Sequence, residues 1–70
     1  MENMINNLVS EATKQTKALD GDDLKQELYI EAHKAEQDFK GKPEDYNSYL
    51  YGRLREVVMI DLRAALIAAR

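Results

Sequence analysis

Apolar residues recur every three or four positions in three separate stretches of this chain, and none of them alternates as a half-buried strand requires. In the first stretch Met1, Met4, Ile5, Leu8, Val9, Ala12 and Leu19 share one face, with Thr16 filling the gap. Polar residues take the other face, and Lys14 and Lys17 fall late, where cations suit the negative end of a helix dipole. In the second, Leu24, Leu28, Ala32, Ala35 and Phe39 fall within an arc of roughly 80° at helical pitch. In the third, Tyr46, Leu50, Leu54, Val57, Val58, Ala65 and Ala68 share a face. The periodicity predicts helices over about 2–18, 23–39 and 47–69. Asp20-Gly21-Asp22 separates the first two: glycine is expected to end one helix and an aspartate to cap the next. Lys40-Gly41-Lys42-Pro43 stops the second. Asn47 or Ser48 can cap the third, with Pro43-Glu44-Asp45 as an earlier start. The expected fold class is all-α, a three-helix bundle forming one domain over residues 1–70.

Composition then narrows the function. Seventy residues make a domain too small for a deep cleft. The chain has no cysteine and one histidine, which removes disulfides, thiolate metal sites and a multi-histidine zinc site. No nucleophile–base pair or phosphate loop is present. The reading is therefore a binding protein and not an enzyme, with no cofactor and no metal. No apolar run approaches the ~20 residues that span a bilayer, and no signal peptide opens the chain, so a cytoplasmic protein with no membrane partner is expected.

Function should sit on residues that the core leaves over. Opposite the stripe of helix two lie Asp23, Gln26, Glu27, Tyr29, Ile30, His33 and Lys34, with Ile30 about 180° from the core centre. A single exposed hydrophobic is ordinary. Beside Tyr29 and His33, inside a ring of Gln and Glu, Ile30 has the make-up of an interface anchor. Asp20, Asp22 and Asp23 lack the ligand series of a calcium loop and read as helix capping. Charge is uneven: residues 1–41 hold five lysines against nine acids, and residues 42–70 hold five basic against four acidic groups. All four arginines, Arg53, Arg55, Arg63 and Arg70, lie in helix three, where they could face phosphate. With a net charge of -3, DNA affinity unaided would be small, so nucleic-acid contact needs a partner. Leu66 and Ile67 leave the core arc and could hold a partner or a second copy, although alanine-rich helix propensity also accounts for that tail.

Several motifs in order resemble region 2 of bacterial RNA polymerase sigma factors. Asp23-Leu24-Lys25-Gln26-Glu27, then Ile30, Lys34-Ala35 and Phe39, is similar to the family's D-L-x-Q-E-x-x-I-x-x-x-K-A-x-x-x-F signature. Tyr46-Asn47-Ser48-Tyr49-Leu50-Tyr51 resembles its F-S-T-Y segment, Arg53-Leu54-Arg55 its R-x-R, and Ile60-Asp61-Leu62-Arg63, loosely, its I-D-x-x-R. Leu8-Val9 and Ala12 sit where its first helix carries L-V-x-x-x-A, so the likeness spans roughly residues 5–63. The resemblance implies a helix that docks on the β′ clamp helices of RNA polymerase through Asp23, Gln26, Glu27, Tyr29, Ile30 and His33. It also implies contact with minus-ten promoter DNA, only in complex with polymerase, through Tyr51, Arg53, Arg55, Glu56, Met59 and Arg63.

The departures from that pattern carry expectations of their own. Gly52 and Arg53 stand where housekeeping sigma factors have the two tryptophans that open the promoter, and Glu56 and Met59 stand where the family often has Gln and Thr. The chain stops at Arg70, whereas sigma factors continue into a helix-turn-helix domain. Either an excised fragment of a longer sigma factor or a stand-alone or split sigma domain is expected, the latter working with a second sigma-like subunit that reads the upstream element. Two alternatives stay open. One is a phage or mobile-element competitor that blocks sigma docking. The other is an unrelated dimerisation module, a homodimer joined through Leu66 and Ile67 of the C-terminal helix.

Overall fold

A computed structural model describes residues 2–68. Within them the chain is helical and has no strand: α1 runs Glu2–Gln15, α2 Gly21–Asp38 and α3 Tyr46–Ala68, with a 3-10 turn over Pro43–Asp45 before α3. The three helices form a bundle in which α2 packs most extensively on α3 and α1 lies against both. The buried core takes Ile5, Leu8 and Ala12 from α1, Leu24, Leu28, Ala32 and Ala35 from α2, and Leu50, Leu54, Val58 and Leu62 from α3. Met4, Val9, Leu19, Tyr46 and Val57 pack around this centre half-buried. Met1, and the last residue of the third predicted helix, lie outside the described residues.

Helix α1 ends three residues before the expected position. The Thr16 hydroxyl, expected to fill the helical face, accepts a hydrogen bond from the Ala18 amide at 3.2 Å and starts a turn instead. Gly21 does not end α1; it opens α2, and no described glycine has a positive φ. Its value is space. A Cβ at Gly21 would stand 3.3 Å from Thr13 Cγ2 and 3.5 Å from Val9 Cγ1, so glycine lets the start of α2 lie against α1. An aspartate is the cap, as expected, but it is Asp20, so α2 starts two residues before the expected position: the Asp20 carboxylate accepts from the amides of Asp22 at 2.9 Å and Asp23 at 3.4 Å. Asp22 and Asp23 then place negative charge in the first turn.

The α2–α3 connection is tight for a similar reason. A Cβ at Gly41 would come within 2.9 Å of the Phe39 ring. Phe39 is half-buried and outside the core cluster, its ring 5.2 Å from that of Tyr46 and 5.0 Å from that of Tyr49, centroid to centroid. Neither Asn47 nor Ser48 caps α3; both lie inside it, and the turn begun by Pro43 leads straight in. Leu62 belongs to the core, continuing Leu50, Leu54 and Val58 by steps of four. Ala65 is only half-buried and Ala68 is exposed, because α3 runs on past the region that α1 and α2 cover.

Candidate protein-docking face and the outer face of helix three

Helix α2 divides the six residues of the proposed docking site. Gln26, Ile30 and His33 are exposed on the side away from the core, and Ile30 keeps 58% of its surface open. Gln37, one turn beyond, lies with Nε2 at 3.2 Å from His33 Nε2, holding the imidazole along the helix surface. Tyr29 departs from this face: it is half-buried and packs against the core. Asp23 sits in the first turn beneath the Asp20 cap. Glu27 borders α3, where it shares a hydrogen bond with Asp61. That bond, followed by partial burial and the negative charges of Asp61 and Asp23, pushes the Glu27 carboxyl up to about 7. The outward surface of α2 is therefore Ile30 between Gln26 and His33, with a carboxyl pair on the α3 side.

The residues assigned to nucleic acid are spread over three sides of α3. Arg53 turns toward α2. Its Nε donates to Glu31 Oε2 at 2.8 Å, and its Nη1 donates to Asp38 Oδ2 at 3.1 Å and to the Tyr49 hydroxyl at 2.9 Å. These bonds and the Glu31 charge raise the guanidinium above its ordinary value, so it stays charged. Arg53 also places a cation beside the end of α2, whose last turn has none of its own. Tyr51, Arg55 and Met59 flank α1, near Glu11 and Gln15. Glu56 and Arg63 are exposed, and among the described basic residues Arg53 alone makes ion pairs. Leu66 and Ile67 are exposed beside Met59 and Arg63 at the end of the bundle.

Three features escape sequence reasoning. The partnership of Glu27 with Asp61 and that of Arg53 with Glu31 and Asp38 join residues on different helices, so no local spacing signals them. The third, Ile60, is 61% exposed and lies seven residues before Ile67, a spacing that could have been read. No group of His, Asp or Glu among the described residues is arranged to hold a metal ion. No described helix is long and apolar enough to cross a membrane. No family model, curated protein or solved structure matches the chain.

Proposed function

We propose that this chain docks on the β′ clamp helices of RNA polymerase through the outer face of α2. There it assists minus-ten promoter recognition or opening together with a protein that supplies the upstream-reading domain. The reading rests on the motif resemblance and on one observation: Ile30, 58% exposed, stands between Gln26 and His33 on the side of α2 that faces away from the bundle. Intramolecular packing leaves that side chain without a role, while an apolar centre in a hydrogen-bonding rim suits a helix laid against a coiled coil. Gln26→Ala and Ile30→Asp should each lower retention by a β′ clamp-helix fragment about tenfold or more, as truncated interface anchors do. Helical circular dichroism should stay intact. Unchanged retention of both variants would overturn the proposal.

A second reading, a competitor that occupies the sigma site and blocks initiation, is favoured by the surroundings of Arg53. That residue stands where the resemblance places a promoter-opening tryptophan, yet its guanidinium is taken up by Glu31, Asp38 and Tyr49. In vitro transcription separates the two readings. An initiation factor raises output from a duplex promoter, and a competitor lowers output from duplex and pre-melted templates alike.

A further inference from the structure

We propose that two copies of this chain pair through the outer face of α3, antiparallel, about a two-fold axis between Met59 and Ile60. At helical pitch Gly52, Glu56, Met59, Ile60, Arg63, Leu66 and Ile67 fall within roughly 120°, centred about 160° from the middle of the Leu50–Leu62 core stripe. Met59 and Leu66 form its edge toward Leu62 and Gln15 of α1. Ile60 and Ile67 are each 61% exposed, Met59 48% and Leu66 47%. Four of the six exposed large hydrophobics among the described residues thus share one face of one helix.

The polar members of that face select the occupant. Glu56 and Arg63 lie at equal distances along the helix from the Met59–Ile60 midpoint, and neither has an ion-pair partner among the described residues. Antiparallel pairing about that midpoint sets each copy's Glu56 opposite the other's Arg63. Parallel in-register pairing would set like charge against like. The same register brings each Ile67 over the other copy's Gly52, where the space a Cβ would fill has nothing within 4 Å. Met59 meets Met59 on one side of the axis and Ile60 meets Ile60 on the other. A face complementary to its own two-fold image in charge and in shape fits a second copy of the chain, as isologous interfaces require. One helix per copy covers less than the ~800 Å² per partner of a standard interface, so the pair exchanges with monomer in a concentration-dependent way. The pairing goes beyond the polymerase-docking reading, since it uses α3 and not the outer face of α2 and needs no other protein; it would cover Glu56, Met59 and Arg63, which the promoter reading also uses.

Sedimentation equilibrium over a wide concentration range tests it, and the expected mass rises from monomer toward twice that value. Glu56→Arg and Arg63→Glu each replace two attractions by two like-charge contacts and should weaken the dimer about tenfold. The double variant restores the opposite charges and should recover most of the loss. Gly52→Phe should also weaken the dimer while leaving the melting temperature of dilute protein at or above the parent's, because glycine is the poorer helix former. A native chain that stays monomeric throughout would overturn the proposal. So would a double variant no better than the single ones, or a Gly52→Phe chain that pairs as well as the parent.

Discussion

Glu27 is the side chain whose chemistry the fold alters most usefully for experiment. A glutamate alone in water ionises near 4.5, but the shared hydrogen bond with Asp61, partial burial and the charges of Asp61 and Asp23 hold its proton up to about 7. Between those values the folded chain keeps a proton that the unfolded chain has released. The stability this group contributes is therefore full at low pH and is lost as pH rises through the folded value. Glu27 is exposed, so solvent screens the effect and keeps it well below that of a buried carboxyl pair. Glu27→Gln supplies a permanent amide donor to Asp61 and removes the ionisation. Urea midpoints should place the variant above the parent at pH 8 and close to it at pH 5. A variant that tracks the parent at both values would show that the carboxyl pair does not couple to folding.

Helix α2 illustrates which parts of an element its own sequence specifies. Its existence and buried stripe follow from Leu24, Leu28, Ala32 and Ala35, because a 3.6-residue period needs only local spacing. That an aspartate of the Asp20-Gly21-Asp22 run caps it was legible, since such a side chain acts on amides two or three residues away, but the start at Gly21 and not near residue 23 was not. The role of Gly21 was not legible, because it depends on Thr13 and Val9 across the bundle. The candidate docking face divides along the same line. Ile30 opposite the stripe could be read from helical phase, whereas the half-burial of Tyr29 and the pairing of Glu27 depend on neighbouring helices. Arg53 could be read as a cation on α3 but not as the partner of Glu31 and Asp38, 22 and 15 residues away. The cap itself should be measurable. Asp20→Ala leaves the Asp22 and Asp23 amides without their side-chain acceptor and should cost ~1 kcal/mol. In a domain of this size that lowers the melting temperature by about 4–8 °C. Asp20→Asn keeps an acceptor oxygen and should stay near the parent; equal losses in the two variants would mean that the cap is not what Asp20 contributes.

The bundle as a whole rests on few side chains. Eleven residues make up its buried core, three of them alanines and none aromatic, and no polar group is buried among the described residues. The aromatic rings of Tyr46 and Tyr49 pack on Phe39 at the α2–α3 end instead, one edge-on and one tilted, partly open to water. At the usual ~0.05–0.15 kcal/mol per residue, a chain of this length has about 3.5–10 kcal/mol of folding free energy to lose. Leu54, fully enclosed on α3, is one of the five largest side chains at the centre. Leu54→Ala deletes its contacts and leaves a cavity, at a cost of about 2–5 kcal/mol, which is a large share of that total. Ile60, six residues on along the same helix, keeps 61% of its surface in water, so Ile60→Ala in dilute monomer should change stability by no more than about 0.5 kcal/mol. Urea unfolding followed by circular dichroism should therefore show Leu54→Ala mostly or wholly unfolded near 37 °C and Ile60→Ala close to the parent. If the two losses were similar, α3 would not be oriented with Leu54 inward and Ile60 outward. The outward face that the proposed pairing requires would then not exist in this form.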